Sequence, residues 1–370
     1  MRPIGDTILH WNLKIEVNVV NIPYEMQEAT EKLLEKRSIS KIRDCVFSIC
    51  ERYNNESGQG KVLVKTPEEA VSYAISRMPG TFGAVKSAVC AFKEALEPFF
   101  EAHPEALPKT LADIGAGTGA AVWAVASEFE LSHITCFERE SSMTEIGKHM
   151  LSYGNKVMKN AAWVQGDAIG GNTEKANLVT ASYIMNELKP SDRDAFLNNL
   201  FETSDGAVIL LEPGTRAGFK NILYARDFFT KKGAIVVAPC THSSACPLPA
   251  DDWCHFSCRM QRSKTQKFVK GGDAPYEDEK FAYLAVLIPG DGVMGSFFDT
   301  RGRGCGLIFD DMTAEAAEEG YARIIRHPQI NKGFVELKLC SGKGIETVKV
   351  TSRDKARFKA ARKAEWGDRI

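Results

Sequence analysis

Four cysteines, Cys240, Cys246, Cys254 and Cys258, fall within nineteen residues of one another. Thiolates at that density bind zinc, copper(I) or an iron–sulfur cluster. The intervals hold five, seven and three residues, whereas zinc knuckles pair cysteines about two to four residues apart. Long, irregular spacing favours an iron–sulfur cluster over zinc, because the irons spread their ligands apart. The segment is rich in Pro, Ser and Asp and lacks the period of a helix or strand. Something other than its own backbone must order it. Remote Cys305 and Cys340 could supply a fourth ligand. The competing reading is free buried thiols, since cysteine packs as a small hydrophobe; the polar, loop-like sequence argues against it. His242 and His255 read as neighbours of the centre or surface contacts rather than ligands.

A second constellation lies upstream, in Asp113-Ile114-Gly115-Ala116-Gly117-Thr118-Gly119. An apolar strand precedes this loop and a helix follows it. The glycines allow a tight turn and close approach to a ligand, and the helix N-terminus is electropositive. A dinucleotide site would read G-x-G-x-x-G. Here Gly115, Gly117 and Gly119 alternate after an acid, the arrangement of S-adenosylmethionine-dependent methyltransferases. Glu138, at the tip of the next strand, is placed to accept both ribose hydroxyls. Asp167, ending the third strand, could accept from an adenine amino group. Asp113 suits a cationic methionine moiety better than a pyrophosphate. The expected cofactor-binding set is Asp113, Gly115, Gly117, Gly119, Glu138 and Asp167. The plainer reading is that the glycines only shape a turn in a domain without a ligand.

Catalytic residues are harder to place. Amino-methylating enzymes often carry Asn/Asp-Pro-Pro-Tyr/Phe after the fourth strand; this chain has Ser182-Tyr183-Ile184-Met185-Asn186-Glu187-Leu188. Asn186 and Glu187 are weak candidates, at the end of the sheet where such folds bind ligands. Glu187 could equally cap the next helix. No low-pKa thiolate of the kind cytosine-C5 methylation needs is evident in this loop.

The elements that must position these groups follow from periodicity. Residues 23–105 read as helices, with helical spacing over Ala29–Arg37, Pro67–Ser76 and Phe82–Phe100 and a break at Arg77-Met78-Pro79-Gly80. From Pro108 strands and helices alternate. Strands are expected at Thr110–Ile114, His133–Phe137, Ala162–Gln165, Leu178–Ser182, Gly206–Leu211 and Ala234–Ala238. Helices are expected at Ala120–Phe129, Met143–Leu151, Arg193–Phe201 and Arg216–Thr230. That alternation implies a parallel sheet covered on both faces, an α/β, Rossmann-like fold. Lys280–Ile288 reads as a return strand, Gly333–Leu339 and Ile345–Val350 as a hairpin, and Arg353 to about Ala364 as a basic helix. The expected division is a helical domain (1–105), a cofactor-binding core (106–239), a cysteine segment with its return strand (240–288) and a C-terminal module (289–370).

The 370 residues carry a net charge of −1, so whole-chain charge does not announce a nucleic-acid binder. Two basic runs stand out locally: Arg259, Arg262, Lys264, Lys267 and Lys270, then Arg353, Lys355, Arg357, Lys359, Arg362 and Lys363 with Phe358 and Trp366. Such clusters can neutralise phosphates, though charge runs are more often solvated faces. The N-terminus shows no secretory signal pattern. Apolar runs such as Ala234–Ala238 and Leu284–Pro289 fall far short of the roughly 20 residues that span a bilayer. A soluble, cytoplasmic monomer is expected, in which ten cysteines argue for thiols or metal ligands rather than disulfides.

Several stretches together resemble one family. They are Tyr73-Ala74-Ile75-Ser76-Arg77-Met78-Pro79-Gly80-Thr81, the loop 113–119 with Trp123, Leu211-Glu212-Pro213-Gly214, Ala238-Pro239-Cys240, Cys246-Pro247, Asp252-Trp253-Cys254-His255-Phe256, Lys270-Gly271-Gly272 and Glu277-Asp278-Glu279-Lys280-Phe281-Ala282-Tyr283. In order, these resemble the methyltransferase-like assembly proteins of the mitochondrial small ribosomal subunit and their bacterial relatives, from about residue 65 to the end. The resemblance implies a methyltransferase fold acting on or near small-subunit rRNA, and a 4Fe–4S cluster on four cysteines. Three map onto Cys240, Cys246 and Cys254. The fourth is distant, and Leu337-Lys338-Leu339-Cys340-Ser341 resembles its motif. Cys258 is then an extra thiol, the alternate ligand, and Cys305 lies outside the site. Two functions remain open: a methyltransferase acting on small-subunit rRNA, or a non-enzymatic assembly factor with a vestigial cofactor pocket. A radical enzyme joining iron–sulfur to S-adenosylmethionine would need C-x₃-C-x₂-C, which is absent.

Overall fold

The computed structural model describes residues 19–35, 37–170, 174–290 and 321–370. Cys305 and most of the glycine-rich stretch before residue 321 lie outside these.

Five helices come first: α1 (Tyr24–Leu34), α2 (Ile39–Glu56), α3 (Pro67–Ser76), α4 (Met78–Ala95) and α5 (Glu97–Ala102). Thr66 caps α3, its hydroxyl accepting from Glu69 N at 3.2 Å, with Pro67 in the first turn. The expected break narrows to Arg77 alone, and α4 begins at Met78, earlier than Phe82. Helix α2, which no spacing over 39–56 had singled out, buries only Ile42, Val46 and Ile49 among its apolar residues.

The central sheet then forms from β1 (Val19–Val20), β2 (Thr110–Ile114), β3 (His133–Glu138), β4 (Ala162–Gln165), β5 (Ala176–Ser182), β6 (Ser204–Pro213), β7 (Ile235–Ala238), β8 (Phe256–Gln261) and β9 (Tyr276–Leu287). Its helices are α6 (Ala120–Ala126), α7 (Ser141–Leu151), α8 (Lys156–Lys159), α9 (Arg193–Thr203), α10 (Arg216–Lys231) and α11 (Lys264–Lys270). Strand order is β1-β8-β9-β6-β5-β2-β3-β4, with β7 also on β9. The pairs β2–β3, β3–β4, β2–β5 and β5–β6 are parallel, and β9 is antiparallel to β6, β7 and β8. A parallel set with one reversed strand wedged between β6 and β7 is the Rossmann-like S-adenosylmethionine-dependent methyltransferase fold.

Both faces are covered, as the apolar strands require. On β6, Ala207, Ile209 and Leu211 face one core and Val208 and Leu210 the other. Each fully buried side chain of this size stabilises by roughly 1.5–3 kcal/mol.

Strands β7 and β8 share one edge of β9: β7 pairs with residues 285–287 and β8 with residues 276–281. The chain between them, 239–255, leaves the sheet and carries Cys240, Cys246 and Cys254. Neither β8 nor α11 was expected from the sequence. Cys258 lies within β8 and faces α4, where a Cβ on Gly83 would stand 3.0 Å from its sulfur.

The C-terminal residues make a second, antiparallel sheet of β10 (Arg323–Ile324), β11 (Gln329–Ile330), β12 (Phe334–Ser341) and β13 (Gly344–Thr351), with α12 (Lys355–Ala361) packed on β12 and β13. The expected hairpin is there, in register from Phe334 opposite Thr351 to Ser341 opposite Gly344. No helix among the described residues is long and apolar enough to cross a membrane.

Candidate functional site

The glycine loop leaves β2 and turns into α6 with Gly115, Gly117 and Gly119 at φ of +73°, +55° and +87°. These left-handed values are available to glycine without penalty. At Gly115 a Cβ would also collide with Ile184 Cδ1. Gly115 N and Ala116 N donate to Phe137 O at 2.8 and 2.9 Å, tying the loop to the end of β3. Glu138 completes the tie. Its Oε2 accepts from Gly117 N at 2.8 Å and its Oε1 from Glu140 N at 2.9 Å. Burial still pushes its pKa up, against these two bonds.

A cleft of about 650 Å³, open mouth included, lies at this carboxyl end of the sheet, where the strand order switches between β2 and β5. Gly115, Gly117, Glu138, Asp167 and Glu187 line it. Three expected residues do not. Asp113 is buried beneath the loop, where its Oδ1 accepts from Thr180 Oγ1 at 2.8 Å and its Oδ2 has no partner; burial pushes it up to about 7. Gly119 caps α6 and packs toward Leu151. Asn186 is tied by its backbone N–H to buried Glu212, whose Oε1 accepts at 3.3 Å. Glu212 also accepts from Asn221 Nδ2 at 2.7 Å, and burial pushes it up to about 8.

The same cleft gathers residues the sequence had not offered: Tyr53, Tyr73, Arg139, Glu140, Ser182 and Ile184. Arg139 and Glu140 sit beside Glu138 in the chain and could have been noticed there. Tyr53 arrives on α2, from far away in sequence. The loop before α3 straps across: Gly60 N donates to Glu187 O at 2.9 Å, and Arg139 Nη2 to Lys61 O at 2.9 Å. Beside it Tyr183 holds φ +67°, strained for a bulky side chain. Its hydroxyl donates to Glu279 Oε1 at 3.1 Å, and Arg77 adds charge to that buried group.

A second centre forms around the cysteine loop. Cys240, Cys246 and Cys254 are partly buried and Cys340 is buried. Burial pushes the Cys254 thiol well up, and negative charge on Cys240, Cys340 and Cys246 adds to it. Burial likewise pushes Cys340 up to about 12, with Cys240 and Cys246 contributing. These four sulfurs therefore neighbour one another. Cys258 is pushed up to about 12 by burial and then by Glu279, its cross-strand partner on β9. Among the described residues, no three His, Cys, Asp or Glu side chains converge as ligands of a single ion.

The loop is held on every side. Buried Arg226 of α10 donates from Nη2 to His242 O at 3.0 Å and to Ser244 O. Arg323 of β10 donates to Pro239 O at 2.8 Å and Gly367 O at 2.7 Å. Asp252 pairs with Arg326, and with Lys338 at 3.6 Å. Trp253 donates to Gly214 O at 3.2 Å and stacks on His255 with ring centres 5.4 Å apart; Trp366 covers His255 at 4.8 Å. The two histidines thus serve as neighbours.

The basic runs differ. Arg259 makes a double bond-pair with Asp278 at 2.7 and 2.8 Å, Arg262 meets Glu277 at 3.3 Å, and Lys270 meets the same Glu277. The β9 acids thus neutralise most of the first run. On α12 only Arg357 has a described acidic partner, its own Asp354 at 3.8 Å. The two runs also stand apart. Trp366 packs at Phe256, the first residue of β8, whereas α11 follows the last and packs on α2 and α3.

Several known proteins are similar to this chain. The human mitochondrial ribosome assembly protein METTL17 is 24% identical over 264 residues, covering 67% of this chain and 56% of that protein. The mitochondrial Rsm22-cox11 tandem protein 2 of Schizosaccharomyces pombe is 26% identical over 222 residues, covering 54% of this chain and 29% of that protein. The chain thus spans about half or less of the length of these relatives. Among solved structures, a putative RNA methyltransferase from Pyrococcus horikoshii is 16% identical, with a TM-score of 0.35, covering 54% of this chain and 84% of that one. Residues 67–370 match the family described as mitochondrial small ribosomal subunit Rsm22, and the chain belongs to it.

Proposed function

We propose that this chain is an S-adenosylmethionine-binding, methyltransferase-like assembly protein that acts on or near the rRNA of the small ribosomal subunit. The observation that carries the reading is Glu138, fixed by Gly117 N and Glu140 N at the mouth of the cleft, in a chain of this family. Both oxygens keep free lone pairs for ribose hydroxyls. Asp167 and the glycine loop complete the nucleoside end.

Cys240, Cys246, Cys254 and Cys340 are the residues that would hold a 4Fe–4S cluster, with zinc as the alternative. Each lies within electrostatic reach of the others, and a set of four thiolates suits such a cluster. Bound there, such a cluster supplies a structural cross-link between the loop and β12. Cys258, within β8 and facing Gly83 of α4, is left out of the set.

The rRNA contact falls to α12 and its flanks, where Arg353, Lys355, Lys359, Arg362 and Lys363 are exposed without a described acidic partner. The second reading, an assembly factor without turnover, is favoured by Ile184, which packs against Gly115 and narrows the cleft. One assay separates them: labelled S-adenosylmethionine is incubated with immature small subunits and either wild type or Glu138→Ala. Label entering rRNA only with wild type supports methyl transfer. Binding to the particles without label supports the second reading, and no association with particles contradicts both.

A further inference from the structure

We propose that the cleft reads positive charge, so that it takes the cationic S-adenosylmethionine in preference to the neutral S-adenosylhomocysteine. The inference rests on the cofactor reading above and adds its specificity. The two ligands share their adenosine, amine and carboxylate. They differ in a methyl group and in the charge on sulfur.

Among the described residues, four carboxylates line the cleft, Glu138, Glu140, Asp167 and Glu187, against one cation, Arg139. Glu138 is already engaged by the glycine loop. Glu140 and Glu187 share the single guanidinium, whose Nη2 stands 3.5 Å from one and 4.0 Å from the other. Facing Glu187 are Tyr53 from α2, Glu138, Arg139 and Glu140 from β3 and its end, and Glu212 from β6. Tyr73 from α3 lines the same wall and is itself pushed up by burial and by Glu187. One positive charge is too few for this group.

Burial pushes Glu140 and Glu187 up to about 7, with the charge of Glu138 adding to the first and that of Glu140 to the second. Near neutrality the free cleft therefore holds protons in place of a missing cation. A cationic ligand displaces them, and a neutral one of the same shape does not. Ser182 Oγ, buried on the same wall, has no partner among the described residues and is left for the ligand. Linkage makes the effect reciprocal: each tenfold preference for the cation corresponds to about one unit of pKa in the carboxyls it faces.

The test is calorimetric titration of the full chain near pH 7. The ligands are S-adenosylmethionine, S-adenosylhomocysteine and an analogue with an amine in place of the sulfonium, each in two buffers of different ionisation enthalpy. Both cations should bind at least about tenfold more tightly than the neutral thioether, and they alone should release protons. Glu187→Gln and Glu140→Gln should bring the ratio toward unity by weakening both cations more than the thioether. Lowering the pH to about 5.5 should shrink the preference in wild type, a check that needs no variant to fold. Equal or tighter binding of the thioether overturns this proposal and leaves the cofactor reading standing. Binding of none of the three overturns the cofactor reading and this proposal with it.

Discussion

Glu138 closes the glycine loop as well as facing the cleft. Its two backbone acceptances fix where Gly117 and Glu140 stand. Glu138→Ala should therefore cost more than one ribose contact. Losing a bond to a charged group costs roughly 1.5–3 kcal/mol, so S-adenosylmethionine should bind about 10- to 100-fold more weakly by calorimetry. An unchanged Kd would remove Glu138 from the site. At this scale the sequence was informative where spacing is local. Gly115, Gly117, Glu138 and Asp167 could be read because strand tips and their turns are contiguous. Asp113 was misplaced because a strand residue's face depends on its neighbours. Its partner is Thr180 on β5, 67 positions away, rather than a ligand. Tyr53 and Glu187 meet only through tertiary packing that brings α2, lying on α3 and α11, to the cleft, which no spacing encodes.

The cysteine loop is the element on which the second centre depends. It leaves the sheet after β7, rejoins it at β8, and is pinned from α10 by Arg226. Arg226→Ala should release both carbonyl bonds and leave His242 O and Ser244 O unpaired, a loss of about 2–4 kcal/mol. Metal bound per chain should drop while S-adenosylmethionine affinity stays within about twofold. A variant with wild-type metal content would show that Arg226 does not hold the loop. Strand β8 went unnoticed for a physical reason. Phe256-Ser257-Cys258-Arg259-Met260-Gln261 alternates strictly between buried and exposed once Cys258 is counted as a hydrophobe. Read as a ligand, Cys258 hides that period. The capping box of α11, Ser263 with Gln266, was legible and went unread beside the basic run.

For the whole molecule, buried carboxyls set the response to pH. Asp113, Glu140 and Glu187 are pushed up to about 7 and Glu212 to about 8, all chiefly by burial. The folded chain therefore binds more protons than the unfolded chain from about pH 4.5 to 8, and stability falls as pH rises through that window. The calorimetric melting temperature should decline from pH 5.5 to 8, and Glu212→Gln should flatten the upper part of the decline. A melting temperature that rises across the window would contradict these burial effects. The charge pattern separates the two basic runs. Replacing Lys355, Lys359 and Lys363 with Ala should lower the salt dependence of rRNA binding by about one unit of slope per lost phosphate contact. Replacing Lys264 and Lys267 should change it little. The strands of the parallel set and the C-terminal hairpin were legible in strand periodicity; their order in the sheet was not. The separation of the two runs was not, because it depends on β8.

The two centres belong to one architecture only if the cysteine loop and β12 share a ligand set. Iron and sulfide analysis of anaerobically purified wild type, Cys340→Ser and Cys258→Ser tests this most directly. Wild type should be brown with about four irons and four sulfides per chain, Cys340→Ser should lose the colour, and Cys258→Ser should keep it. A colourless wild type carrying zinc, or a loss of colour in Cys258→Ser with none in Cys340→Ser, would contradict the account.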